Sequence, residues 1–305
     1  MKKKSRKILI LNIIIAVIII LAAVCVTMII LTNLEYKQGE DMYLDLADSY
    51  LVFEEEEYPD EYSAPSSEEP EESEESSLLE DTSGGEQGGS PAEKPQTAAT
   101  TEAPKVTTTA APVVKKITSV NFSALQKTNK NAIGWIVNDG TPISYPIVRT
   151  YSLYDYDYYL THNFNGKRNK LGTLFTDSRN TPWSDNHTII YGHNMLNGTM
   201  FSSILNYSSQ KYYDAHPTMR LFTPDGNYTV KIFSGYMTTV NSDVFTVGYH
   251  GKTFENYLAS IAAASDFKTD VVPSADDKII TLATCDSNLT RKNNRYVLHG
   301  ILVKN

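Results

Sequence analysis

Cysteine is almost missing from this chain. Among 305 residues only Cys25 and Cys285 carry a thiol, and Cys25 lies inside a long apolar run. A disulfide framework is thereby excluded, since Cys285 has no partner outside that run and must be inert, intermolecular or reactive. Large apolar residues are scarce between residues 54 and 112, where Glu54-Glu-Glu-Glu57, the acidic stretch 68–75, a glycine-rich stretch 84–89 and a Thr/Ala/Pro run follow one another. Such composition excludes a packed core there and predicts a disordered tether. Also lacking is the regular alternation of strand-like and helix-like stretches that a doubly wound sheet demands.

What is present begins with five basic residues before Ile8 and a long apolar run, 8–31. As a helix those residues would span about 36 Å, enough to cross a hydrocarbon layer of about 30 Å. The run exceeds a signal peptide's apolar core, and the basic flank predicts a cytoplasmic N-terminus with the remainder outside the cell. The predicted organisation is a cytoplasmic flank (1–7), a transmembrane signal anchor (8–31), an acidic and Thr/Pro/Ala-rich linker (32–116) and a catalytic domain (117–305). The net charge of −9 is unevenly spread, for residues 35–115 hold 22 of the 36 acidic and 4 of the 27 basic residues. Setting aside the five basic residues of the flank, residues 116–305 keep 18 basic and 14 acidic residues. The acidity therefore belongs to the linker and says nothing about the partners of the domain.

Within the domain, eight short β-favouring runs are separated by turn formers: 133–137, 143–148, 172–175, 188–191, 219–223, 227–236, 279–284 and 296–303. The pattern predicts a mainly β fold, a closed antiparallel barrel with peripheral helices. A short helix is expected around Phe122 and Leu125. A longer one is expected over 254–264, where Phe254, Tyr257, Leu258 and Ile261 share one face.

Cys285 ends one β run, and after a polar turn Arg295 begins the next. His193 follows the run 188–191 and Gly192. An ordinary thiol titrates near about 8.5 and needs a base or cation to act as a nucleophile. Nucleophile, general acid/base and anion-stabilising group fit Cys285, His193 and Arg295. Arg291 lies within the turn. His187 reads as a loop histidine, and His299 as a structural hydrogen-bonding group.

Thr281-Leu-Ala-Thr-Cys285, Arg295 and Tyr191-Gly-His-Asn194, with Asn121-Phe-Ser-Ala-Leu-Gln126, Gly134-Trp-Ile136 and Ile143-Ser-Tyr-Pro-Ile-Val148 upstream, resemble the sortase family, class B, from Val120 to Val303. The resemblance implies a sortase-type barrel and a cysteine transpeptidase in which Cys285, His193 and Arg295 are catalytic and Asn194, Ala283 and Thr284 contact substrate. It implies no metal and no organic cofactor. The implied partners are surface proteins bearing a C-terminal sorting signal, cleaved after threonine, and a peptidoglycan-precursor amine as acceptor; nucleic acid is not among them. The implied location is a Gram-positive cell membrane, single-pass, with the catalytic domain outside. Pilin polymerisation and hydrolysis by a cysteine peptidase remain alternative activities, and a tethered adhesin is the non-enzymatic one.

Overall fold

The computed structural model describes residues 2–56, 114–151, 157–285 and 293–305, the side chains of 2–9, 55, 56, 114, 115 and 285 excepted. Most of the predicted linker, 57–113, and Arg291 lie outside the described residues. In chain order the elements are α1 (Lys2–Tyr50), β1 (Leu51–Glu56), β2 (Val114–Val120), α2 (Phe122–Thr128), β3 (Ala132–Val137), β4 (Ser144–Arg149), β5 (Leu174–Thr176), β6 (His187–Tyr191), α3 (Gln210–Ala215), β7 (Thr218–Thr223), β8 (Gly226–Thr239), α4 (Gly251–Ala263), β9 (Ile279–Cys285) and β10 (Asn294–Lys304).

Each of the eight predicted β runs forms a strand, and β3 to β10 close into a barrel in the order β10-β8-β7-β3-β4-β5-β6-β9. Most neighbours are antiparallel, as expected. Two pairs, β4–β5 and β6–β9, run parallel. Parallel neighbours need long connections, and a sequence without a helical crossover gives no local sign of them.

Alternation along the strands divides the burial between two layers. Leu282 and Leu298 belong to one cluster with Trp135, Ile147 and Leu221. Ala283 and Val297 point the other way, into a second cluster with Phe233 and α4. The buried face of α4 consists of Phe254, Tyr257, Leu258 and Ile261, as their spacing predicts. Each such side chain contributes roughly 1.5–3 kcal/mol on full burial. At the other end, Asn121 caps α2 by accepting from the Ala124 amide at 3.1 Å, and Leu125 is fully buried.

Helix α1 departs from the composition-based boundary. It does not end near residue 32 but runs to Tyr50, and its last turns pack on the barrel. Tyr36, Gly39, Tyr43, Leu46 and Tyr50 recur at intervals of three and four, which aligns them on one helical face. Of these, Gly39, Tyr43 and Leu46 are buried. Glu35 accepts from the Lys170 amide at 3.2 Å and pairs with the Lys170 ammonium at 3.1 Å, while Asn169 Nδ2 donates to the Glu35 carbonyl at 3.2 Å. The apolar side chains from Ile10 to Leu31 stay exposed, and α1 is the one helix among the described residues long and apolar enough to cross a membrane. After α1 the chain comes back to its point of departure, since the Asn121 amide donates to the Tyr50 carbonyl at 2.8 Å.

Candidate active site

The barrel places the three chemical residues by register. Cys285 is the last residue of β9 and stands directly opposite Arg295 of β10. Opposed residues of an antiparallel pair share a face, so positions 285 and 295 lie on the same side of the sheet. Strand β6 runs parallel to β9 with Tyr191 beside Ala283, and the Gly192 amide donates to the Ala283 carbonyl at 3.1 Å. His193 and Cys285 each lie two residues beyond that pair. All three therefore reach the same end of the same three strands. The shared face is the one that α4 covers lower down, and it is open at this end.

A cleft of about 590 Å³ occupies the opening. Leu160, Phe175, Tyr191, Val240 and Phe245 give it apolar walls, and His193 and Arg295 line it together with Ala283 and Thr284. Asn194 is not among the residues on the cleft wall; its backbone bridges Met200 instead. The loop after β6 is held by this bridge and by the Phe201 amide, which donates to the His193 carbonyl at 2.9 Å. Met200 adopts φ of +56°, an uncommon conformation for a side chain of its size. At Gly192 a Cβ would come within 2.5 Å of both Leu174 and Phe201, so only glycine allows the strand to deliver the histidine here.

The ring of His193 is half-buried, and its Nε2 lies 2.7 Å from the Leu160 carbonyl. A carbonyl only accepts, so Nε2 carries a proton and Nδ1 is the ring atom left for proton exchange. The Arg295 guanidinium donates to the Asn294 carbonyl at 2.8 Å.

Three further polar groups are not among those the sequence singles out. Asp177 accepts from Arg179 Nε at 2.8 Å and Nη2 at 2.7 Å, and from the Tyr191 hydroxyl at 2.9 Å. Arg179 Nη2 also donates to the Phe245 carbonyl at 2.9 Å, tying two cleft walls together. Burial alone would raise the Asp177 carboxyl, but the hydrogen bonds from Arg179 and Tyr191 outweigh it and hold the group below its ordinary range. An acid and a base two residues apart, Asp177 and Arg179, are a legible signal. The Leu160 carbonyl, being backbone, offers none.

The remaining histidines are placed elsewhere. His187 is not a loop residue: it opens β6, paired with Ile279 of β9, and is only 2% exposed. Its Nε2 lies 2.7 Å from Thr281 Oγ1, which lies 2.8 Å from Nδ1 of the fully buried His299. His299 thus has the structural hydrogen bond expected of it. His216 follows α3 and His250 precedes α4. Among the described residues no group of three or more His, Cys, Asp or Glu side chains is arranged to hold a metal ion.

Comparison with known proteins matches residues 152–303 to the family described as Sortase domain. Sortase B of Listeria monocytogenes is 39% identical over 181 residues, a span covering 59% of this chain and 72% of that protein. The structure of a Staphylococcus aureus sortase B–substrate complex superposes with a TM-score of 0.56 at 28% identity, covering 60% of this chain and 85% of the other. A crystal structure of sortase B complexed with triglycine gives a TM-score of 0.56, again at 28% identity, over 60% of this chain and 86% of that one.

Proposed function

This chain belongs to class B of the sortase family, and from that premise we propose that Cys285, His193 and Arg295 carry out its transpeptidation on a C-terminal sorting signal. His193 Nδ1 takes the proton of the Cys285 thiol, the resulting thiolate attacks the carbonyl carbon of a threonine, and the electron pair of the C=O moves onto oxygen. Arg295, directly across the strand pair, offers planar N–H donors to that charge or to the peptide beside it. Collapse of the intermediate breaks the C–N bond, and the departing amine takes its proton from His193 Nδ1. A thioester to Cys285 remains. An acceptor amine then attacks the thioester, His193 Nδ1 removes its proton, and the thiolate leaves with the new amide formed. The Leu160 carbonyl keeps Nε2 protonated throughout, which reserves Nδ1 for each transfer.

The observation that carries this reading is the common strand-end register of the three residues. The apolar walls of the cleft suit an extended peptide, with Ala283 and Thr284 along its path. The acceptor is a peptidoglycan-precursor amine, and the clients are surface proteins that become joined to the cell wall. Helix α1 is the membrane anchor, its basic flank in the cytoplasm and the barrel outside. Pilin polymerisation would use the same chemistry with a lysine side chain as acceptor.

Product analysis tests the proposal. A library of pentapeptides with one fixed threonine is incubated with the full chain, with and without triglycine. Ligated product formed at threonine supports transpeptidation. Cleavage with no ligation at any triglycine concentration would make the protein a hydrolytic peptidase, and inertness toward every peptide would leave the adhesin reading.

A further inference from the structure

We infer that Tyr43, on the barrel-packed part of α1, is a positioning residue for His193, an inference that rests on the catalytic role proposed for that histidine. Tyr43 is buried, and its hydroxyl donates to the Gly172 carbonyl and lies 3.2 Å from Thr173 Oγ1. Burial pushes its phenol far above the ordinary range, so the hydroxyl keeps its proton at any working pH. Gly172 in turn lies hard against the next segment: a Cβ there would be 2.4 Å from the Tyr159 carbonyl oxygen and 3.0 Å from that of Leu160, and its φ is +62°. The Thr173 amide donates to the Tyr159 carbonyl at 2.9 Å, and Thr173 Oγ1 donates to the His162 carbonyl at 3.0 Å. The Leu160 carbonyl, held in this way from behind, is the acceptor for His193 Nε2.

The path has three steps, from the Tyr43 hydroxyl to the 172–173 backbone, to the 159–160 backbone, to the imidazole. Each is a close backbone or hydrogen-bond contact, with no long flexible side chain along it. Without the hydroxyl, the Gly172 carbonyl loses a buried donor and the segment is free to shift. A shift of a few tenths of an ångström at Leu160 loosens the bond that selects the Nε2–H form. The ring then divides its time between two tautomers, one of which has its proton on the wrong nitrogen for the reaction. The effect falls on proton transfer before peptide binding, since Tyr43 does not itself line the cleft and Leu160 moves by only a few tenths of an ångström.

The test uses the full chain in lipid nanodiscs, labelled with ¹⁵N-histidine, with His193→Gln identifying the resonances of that ring. In the wild type His193 should show a single neutral tautomer protonated at Nε2. Tyr43→Phe keeps the aromatic ring in its edge-on contact with Tyr145 at 5.2 Å and removes only the hydroxyl. It should give averaged ring ¹⁵N shifts and lower kcat about tenfold with KM unchanged. Leu46→Ala serves as the control for packing, because Leu46 is buried on the same face of α1: it should lower Tm and leave both the tautomer and kcat alone. An unchanged His193 spectrum and unchanged kcat in Tyr43→Phe would overturn the inference, as would equal losses of kcat in Tyr43→Phe and Leu46→Ala. Averaged shifts together with a fully active His193→Gln would keep the positioning contact and remove the catalytic reading of His193.

Discussion

Acidification from pH 7 to pH 4 is expected to withdraw about 3 kcal/mol of stability through His187. The ring sits between β9 and α4, hydrogen-bonded to Thr281 and 5.3 Å from the Tyr257 ring. Burial is the dominant cause that lowers its pKa from 6.5 to about 4, against smaller opposing effects of the nearby Thr246 backbone and the charges of Asp177 and Asp185. The folded state therefore resists a proton that the unfolded chain accepts. Stability from this source is complete above about pH 6.5, declines as the pH falls, and is exhausted near pH 4. A gap of about 2.5 units at about 1.4 kcal/mol each gives about 3 kcal/mol at pH 4, where the folded ring is itself half-protonated. His299, beyond Thr281, is lowered by burial and then by the neighbouring His187, and adds to the loss in the same direction. The assay is urea unfolding of the full chain in detergent at intervals from pH 8 to pH 4, beside His187→Gln, which cannot titrate. The wild-type curve should fall more steeply by about 3 kcal/mol across that range. Parallel curves would show that this ring is solvated when protonated, and the argument from its burial would have to be abandoned.

Other outcomes follow from the active end of the barrel and from α1. Cys285→Ala and Arg295→Ala should each abolish peptide ligation while Tm stays within a few degrees, as differential scanning fluorimetry would record, and Arg295→Lys should not restore rate because an ammonium lacks the planar fork. Gly192→Ala forces a methyl group onto Leu174 and Phe201, and should cost about 1–3 kcal/mol in urea unfolding along with most of the activity. Deleting residues 60–110 should leave Tm and kcat unchanged, since the chain on either side is already joined through Tyr50 and Asn121; a large loss of either would contradict that closure.

Local pattern made much of this legible. Each barrel strand was apparent as a β-favouring run between turn formers, and the apolar stripe of α4 was readable residue by residue because period and burial coincide there. Cys285 and Arg295 stood out because they close and open neighbouring strands in a chain poor in thiols, and His193 because it follows a strand and a glycine. The rest depended on contacts between distant residues. The parallel pairing of β6 with β9 turns His187 from a loop residue into a buried one, and nothing near position 187 announces Ile279 as its neighbour. The second half of α1 was legible only in part: Met42 to Phe53 carries enough apolar residues to suggest a short membrane-proximal helix, but Glu35, Lys37, Glu40, Asp41, Asp45 and Asp48 dilute the composition, and the stripe from Tyr36 to Tyr50 emerges only when residues are placed around a helix. The Leu160 carbonyl belongs to no residue type at all.

The unbroken course of α1 has a mechanical meaning. From Leu31, where the apolar run stops, to Tyr50 the helix rises about 28 Å, and the barrel is clasped to it along that length. With the apolar turns in a bilayer, such a mount would give the cleft a set height and heading above the lipid, like a tool bolted to a post. Residues 32–50 would then act as the shaft of that post and not as slack tether.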